Sequence, residues 1–261
     1  MFQKEDFKVE LINPEEVKDF VRRHGETAAI CYNTNPKYAN AVGKSVLETS
    51  HFSGSRGDYF KFKFTNVPRA LVDQSVRHDV GTFKNVQSQR YVNQTDFNMY
   101  FPKEILNDDE LLDLWNNYEL YTRAVYNRTI DRLGEKYNYT GEKASEIARG
   151  VLPMNVESSF VQGFTLEALM NYMNKRLCTC AQEHIRYVAD LMREEVLKVA
   201  PIYEPYLVPI CERQLWCPET KKRSCGRKPV KEELQNLIQL GKDCCKNHKE
   251  LENDITSGSI H

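Results

Sequence analysis

A short polar stretch, Asp73–Val92, carries most of the side chains in this sequence that could bind a charged ligand. Its polar side chains include guanidinium groups, an imidazole, a hydroxyl and amides, and it has few large apolar residues. The side chains of interest are Gln74, Arg77, His78, Ser88, Gln89 and Arg90. Guanidinium groups bind phosphate through paired hydrogen bonds, and amides, hydroxyls and imidazoles recognise the polar edge of a base. The stretch therefore predicts a binding site for phosphate and a base.

A simpler interpretation of these residues is a solvated surface, because exposed arginines commonly form ion pairs without any ligand. Three further segments favour the binding interpretation. The first is a loop, Ser50–Ser53, that precedes a run of alternating aromatic and lysine residues. The second is Ala148–Pro153. The third is the helical pattern Leu169–Arg176, which is followed by Ala181–Arg186.

These four segments together resemble the flavin-dependent thymidylate synthase family. The family has an Arg-His-Arg sequence followed by Ser-x-Arg-Tyr, and here Arg77-His78 is followed by Ser88-Gln89-Arg90-Tyr91. Its His-x-Ser/Thr loop is similar to His51-Phe52-Ser53, and its Ala-Arg-x-Val-Leu-Pro sequence is similar to Ala148–Pro153. Its Leu-x-x-Phe-x-x-x-Arg helix, with the Ala-Gln-x-Glu-Ile continuation, resembles the third segment.

The resemblance implies reductive methylation of dUMP to dTMP. Methylenetetrahydrofolate would donate the carbon and NADPH would reduce FAD, in a homotetramer whose sites lie where subunits meet. The resemblance assigns catalytic roles to Arg176 and Ser88, and implies that Arg176 favours the N3-ionised form of the pyrimidine. The implied dUMP ligands are Gln74, Arg77, Ser88, Gln89, Arg90, Arg149 and Arg176. The implied FAD ligands are His51, Ser53, Arg56, Arg77, His78 and Asn171.

Three charged residues depart from the family pattern. Asp79 replaces the second Arg of the family, Glu167 replaces an Arg of many relatives, and Arg56 stands where the loop usually has Glu. A charged pair within about 4 Å is worth roughly 1 to 4 kcal/mol, so such reversals would matter beside a diphosphate. We expect FAD in a shifted pose, with Arg56 supplying part of the lost charge. Two alternatives stay open: a variant pyrimidine modification such as hydroxymethylation, and a catalytically silent nucleotide-binding relative.

Net charge and the pattern of apolar residues narrow the classes of function open to this sequence. The 261 residues carry a net charge of −1, which gives no global attraction to nucleic acid or to an acidic membrane. A weaker possibility is a base-stacking platform, because Lys61 and Lys63 alternate with aromatic residues. No apolar run reaches the roughly 20 residues of a membrane span, and the N-terminus lacks a secretion pattern. We therefore expect a cytoplasmic protein with small-molecule substrates.

The hydrophobic pattern predicts an α+β fold with one small antiparallel sheet and several long helices. The predicted strands are residues 8–12 and 59–64. The predicted helices are residues 13–24, 36–50, 68–72, 102–137, 143–149, 164–193 (with an interruption near Cys178 as an open alternative) and 231–253. We expect a catalytic domain over residues 1–208, and a cysteine-containing loop and terminal helix over residues 209–261 packed on the same domain.

The eight cysteines are expected to be thiols, as is usual in a reducing compartment. Cys211, Cys217 and Cys225 are followed by Cys244-Cys245 and His248, a set of residues that can bind zinc. Their spacing lacks the Cys-x-x-Cys pairs typical of such sites. The sequence therefore favours a reduced loop without a metal.

Overall fold

The computed structural model describes the backbone of residues 1–256 and the side chains through residue 244. One sheet has the strand order β1-β2-β4-β3, and all neighbours are antiparallel. Its strands are β1 (Lys8–Leu11), β2 (Phe60–Pro68), β3 (Thr82–Val86) and β4 (Glu157–Phe164). The helices are α1 (Pro14–Cys31), α2 (Ala39–Glu48), α3 (Arg69–Ser75), α4 (Lys103–Leu106), α5 (Asp109–Tyr137), α6 (Gly141–Ala148), α7 (Leu166–Arg176), α8 (Glu183–Val199), α9 (Ile210–Gln214) and α10 (Lys231–Thr256). The predicted α+β class is confirmed.

The central strand β2 shows why the sheet forms. Phe60, Phe62 and Phe64 alternate along it, and all three are almost fully buried. The ring of Phe64 stacks on that of Phe160 in β4, with centroids 4.2 Å apart. Lys61 lies between buried phenylalanines, and its Nζ pairs with Glu16 at 3.2 Å. Because the aromatic rings of β2 belong to the core, they are not available to stack on bases.

Strands β3 and β4 were not predicted. Serine, glutamine and glycine interrupt the apolar pattern of β4, so its sequence lacks a clear alternation. Gly163 is required there, because a Cβ atom would lie 2.0 Å from the ring of Phe83. The prediction that a helix begins at Phe164 was wrong, whereas its interruption near Cys178 is confirmed, because α7 ends at Arg176 and α8 begins at Glu183. Phe164 ends β4, and α7 begins after Thr165, whose side chain caps the helix by accepting from the Ala168 amide.

Helices α1 and α2 make the closest helix contact of the fold described here. A Cβ on Gly25 would lie 1.7 Å from the Ala39 carbonyl oxygen, and one on Gly43 would lie 1.8 Å from that of Val21. Only glycine allows two backbones to approach so closely. This contact sets the position of the loop after α2, which carries His51.

Helix α5 ends at the predicted residue, but its predicted start at residue 102 was wrong: α4 is a separate helix, and the Asp108 side chain caps α5 by accepting from the Leu111 amide. The apolar stripe of α5 is also not fully buried. Only Thr122 and Tyr126 are buried among its described residues, whereas Leu114 is 62% exposed and Leu120 is 65% exposed. A cavity of about 520 Å³ lies beside it, lined by Met99, Leu114, Trp115, Tyr118, Pro153, Met154 and Asn155. Exposed apolar side chains grouped beside a cavity commonly mark an interaction site.

Residues 209–230 pack against the turn between α7 and α8. Helix α9 contacts α7, and the Cys180 thiol donates a hydrogen bond of 3.4 Å to the Arg223 carbonyl. The domain boundary near residue 208 stays a prediction. No helix within residues 1–256 is long and apolar enough to cross a lipid bilayer.

A buried histidine predicts loss of stability in acid. Burial lowers the pKa of His184 to about 4. Below pH about 6.5 the unfolded chain binds a proton that the folded chain excludes until about pH 4, so the free energy of unfolding falls as pH falls. We expect a loss of up to about 3 kcal/mol from this residue. Urea unfolding at several pH values measures it, and a His184→Gln variant that keeps the full pH slope would contradict the assignment.

Candidate functional site

The arginine–histidine cluster, formed by Gln74, His78 and Arg176, brings together three of the predicted site residues. Arg176 ends α7, Gln74 lies in α3, and His78 lies in the turn between α3 and β3. The Arg176 Nε donates to His78 Nε2 at 2.9 Å, and Nη2 donates to the Gln74 carbonyl oxygen at 3.4 Å. The guanidinium plane is therefore fixed by two acceptors from one turn.

His78 is a neutral acceptor in this cluster. Burial, and then the nearby cations Arg176, Lys175 and Lys84, lower its pKa to about 4. Because its Nε2 accepts from a guanidinium, the single proton of the neutral ring must reside on Nδ1. The ring also packs against Tyr172, with centroids 4.7 Å apart. The imidazole thus orients Arg176 without adding a second positive charge.

Buried polar groups beneath the cluster hold its turn in place. Gln162 of β4 is fully buried and accepts the Ser75 hydroxyl at 2.7 Å. Its amide nitrogen lies 3.5 Å from the carbonyl oxygens of Ser75 and His78. Tyr172 is also fully buried, and burial raises its pKa to about 12. None of these supports was predicted; an amide inside a buried strand is the one sequence signal that could have suggested Gln162.

Another glutamine, Gln182, contacts the cluster through Gln74. The Gln74 side-chain nitrogen donates to the side-chain oxygen of Gln182, in the Ala-Gln segment that precedes α8. The Gln74 Oε1 atom is buried and has no hydrogen-bond partner among the residues described. A buried acceptor without a partner is costly, so it is suited to an N–H group of a ligand. The sequence motif contained Gln182, but no role was predicted for it.

A separate arginine–glutamate cluster holds Arg90. Its guanidinium pairs with Glu142 and Glu146 of α6, the latter at 3.2 Å. The Ser88 hydroxyl accepts from the Arg90 backbone amide at 3.2 Å. Arg149 is exposed where α6 ends. Within the described chain neither Arg90 nor Arg149 forms an ion pair or hydrogen bond with the arginine–histidine cluster. The neighbouring Gln89 is half-buried.

The predicted FAD residues of the loop lie beside the start of α7. His51 and Ser53 line a cavity of about 290 Å³ together with residues of α1 and α2. The 3-10 turn Phe52–Ser55 contacts α7, whose Asn171 is exposed. Arg56 pairs with Glu167 at the start of α7, with 3.0 Å between Nε and Oε2. The cation expected to bind phosphate is therefore already engaged by a carboxylate.

The third reversed charge, Asp79, is also paired with a side chain of opposite charge. The Asp79 carboxylate accepts a hydrogen bond of 2.7 Å from Lys84 of β3, and this contact lowers the pKa of Asp79. Arg77, two residues earlier, is exposed and forms no ion pair with a described residue. All three departures from the family pattern thus have a partner of opposite charge: Arg56 and Glu167 pair with each other, and Asp79 pairs with Lys84. Lys84 was not identified from the sequence.

Comparisons with known proteins identify the family of this chain. The family described as "Thymidylate synthase complementing protein" matches residues 16–202. A flavin-dependent thymidylate synthase of Nitratidesulfovibrio vulgaris is 34% identical over 73% of this chain and 77% of its own length. One of Clostridium tetani is 30% identical over 82% of this chain and 90% of its own.

Among solved structures, the fold is similar to a UMP/dUMP methylase, PolB from Streptomyces cacaoi, bound with 5-Br UMP. The TM-score is 0.54 at 17% identity, over 77% of this chain and 93% of that one. This likeness supports the fold, and the relatives above establish the family. The chain belongs to the flavin-dependent thymidylate synthase family of methyltransferases.

Proposed function

We propose that this protein converts dUMP to dTMP in the cytoplasm, with methylenetetrahydrofolate as carbon donor and NADPH as reductant. The observation that carries the proposal is the fixed guanidinium of Arg176, which donates to the main-chain carbonyl of Gln74, a residue whose side-chain oxygen has no partner among the described residues. Family membership supports the reaction class. A uracil ring offers both an N–H donor and carbonyl acceptors, which match these two groups.

Arg176 is suited to stabilising negative charge on the pyrimidine. Two of the five N–H donors of its guanidinium are used by His78 and Gln74, which leaves three for a ligand. C5 of uracil is a poor nucleophile, and it becomes a better one as charge develops on the ring carbonyls and N3. A guanidinium held in advance stabilises that charge without reorganising during the reaction.

The residues around the loop fit a flavin cofactor. His51 and Ser53 offer hydrogen bonds at the mouth of their cavity, Asn171 offers an exposed amide, and Arg77 is an exposed cation. When bound, FAD would supply the hydride that completes the methyl group. The chain's own part is to bind the cofactor and orient the nucleotide against it. We propose that His78 acts here through its contact with Arg176.

The Arg56–Glu167 pair predicts how FAD affinity should respond to substitution. If Arg56 reaches the diphosphate, Glu167→Gln should strengthen FAD binding by a few-fold, because it removes a competing anion. Arg56→Gln should weaken it by a similar factor, since exposed charges contribute modestly. Fluorescence titration of FAD measures both. Lys18→Gln, which removes another exposed cation in an ion pair, serves as the control. Unchanged affinity in both test variants would exclude Arg56 from the cofactor site.

We also propose that the site is completed between subunits of a homotetramer. Arg90 and Arg149 are not joined to Arg176 within the described chain, and α5 exposes apolar residues beside a cavity. Leu114→Glu should therefore lower the mass measured by light scattering during gel filtration. Asn117→Glu, an exposed polar position on the same helix, should leave it unchanged. A wild-type protein that stays monomeric at micromolar concentration would contradict the assembly.

The decisive experiment for the reaction uses the purified protein with FAD. Binding should produce the absorption spectrum of a protein-bound flavin. With NADPH and methylenetetrahydrofolate, dUMP labelled with tritium at C5 should release the label and give dTMP, identified by mass spectrometry. A hydroxymethylated product would instead support the variant reaction. Nucleotide binding without release of the label would support the silent relative.

A further inference from the structure

Five cysteines from two distant segments surround one small cavity. Cys178 and Cys180 belong to the turn between α7 and α8, whereas Cys211, Cys217 and Cys225 belong to the segment that follows residue 208. The cavity measures about 10 Å³, which is close to the space taken by one water molecule. From sequence, the second group was weighed with Cys244-Cys245 and His248 and a loop without a metal was favoured; the first group, about thirty residues earlier in the chain, was not included.

The chain folds closely around this cavity. Cys211 and Cys217 are buried against Val230, and the Cys217 amide donates a hydrogen bond of 2.7 Å to the Pro229 carbonyl oxygen. The Cys180 thiol reaches across to the Arg223 carbonyl at 3.4 Å. Both segments are therefore held together at the cysteines.

Hydrophobic packing gives this segment little support. Residues 215–230 contain no helix or strand beyond one isolated bridge, between Cys217 and Val230. The local apolar cluster consists of Cys211, Cys217 and Val230, of which two are cysteines. Long irregular segments with so small a core usually need another element to hold them, such as a disulfide or a metal. The cysteines of the described region are free thiols.

We propose that this cavity is a structural zinc site, with four thiolate ligands drawn from both cysteine segments. Cysteine as a mere core residue would be buried, but Cys180 and Cys225 are exposed at the rim of the cavity. Zinc takes four ligands in a tetrahedron, and thiolates are its preferred ligands in structural sites. In residues described here no three His, Cys, Asp or Glu side chains yet form a ligand set. Binding would thus turn the cysteine side chains inward, which couples metal binding to folding.

The position of this site gives it a role in the fold. Cys178 lies two residues after Arg176, and Cys180 lies two residues before Gln182. A metal bound to both segments would fix the turn that carries these side chains onto residues 209–230. The inference does not depend on the proposed reaction, because it rests on the cysteines alone.

Metal analysis of the full chain, purified without a histidine tag, tests the proposal. Elemental analysis should find about one zinc per chain after equilibration with zinc and gel filtration. Cys180→Ser and Cys217→Ser, one from each segment, should each lose most of it, and Cys244→Ser, an exposed cysteine of α10, should keep it. Absence of zinc, equal zinc in all variants, or iron in its place would overturn the assignment.

A second measurement on the wild-type chain applies even where a serine variant fails to fold. Removing the metal with a chelator should lower Tm, and about four additional thiols should then react with a thiol reagent, the number of ligands in a tetrahedral site. The same Tm and the same number of reactive thiols with and without chelator would contradict the proposal.

Discussion

Replacing Arg176 by lysine is expected to lower kcat for dTMP formation by two to three orders of magnitude, in the range seen when one charge-stabilising donor is lost. Lysine keeps the charge but not the planar fork, so it cannot donate to His78 and Gln74 while also facing the ligand. Steady-state rates with saturating dUMP and FAD measure the effect. Folding should be unaffected, because Arg176 is only partly buried.

The control for this substitution is Arg22→Lys, at a surface arginine of α1 that pairs with Asp19 and Glu26. It should leave kcat within a factor of two, since exposed ion pairs contribute little. If Arg176→Lys kept more than a tenth of wild-type kcat at saturating substrate, the guanidinium would not be needed in the transition state, and its proposed role would be lost.

The largest expected loss of stability comes from Gly25→Ala. Its methyl group would lie 1.7 Å from a backbone oxygen of α2, and backbone cannot rotate away as a flexible side chain can. Helices α1 and α2 would have to separate, and we expect a cost of about 3 kcal/mol or more, which exceeds the gain of about 1 kcal/mol in helix propensity. Chemical denaturation measures the change.

Gly134→Ala is the matched control, because this glycine also lies inside a helix. The nearest atom to its added methyl group would be the Tyr139 carbonyl oxygen at 3.8 Å, an ordinary contact. We expect this variant to be as stable as the wild type, or more stable by up to about 1 kcal/mol. Equal effects of the two substitutions would mean that the close contact between α1 and α2 carries no special weight.

The parts of the fold predicted from sequence are those with a strong local pattern. Strand β2 alternates aromatic and polar residues, and α1 begins with proline and an acidic first turn, so both follow from near neighbours. Strand β4 could not be predicted, because its residues Gly163 and Gln162 are explained by contacts with Phe83 and Ser75, which lie elsewhere in the chain. The break between α7 and α8 was predicted near Cys178, but the packing of residues 209–230 on it was not.

The predicted site residues likewise divide into those that a local sequence pattern predicts and those that depend on long-range contacts. Residue types and motif order predicted Gln74, His78 and Arg176 as site residues, and the structure joins them by hydrogen bonds, while their roles stay a prediction. The partners of the reversed charges could not be read from the motif. Lys84 meets Asp79 because the turn into β3 places them side by side, and Glu167 meets Arg56 across more than a hundred residues. Such pairings depend on tertiary structure, which no single motif contains.

The pairing of β2 with β4 also constrains how the chain can mature. These partners are separated by about a hundred residues, so the central strand has no neighbour on that side until Phe164 has been synthesised. Until then one edge of β2 lacks its partner strand, and Phe60, Phe62 and Phe64 lack the cover of β4, so the incomplete chain exposes surface that can associate with other nascent chains.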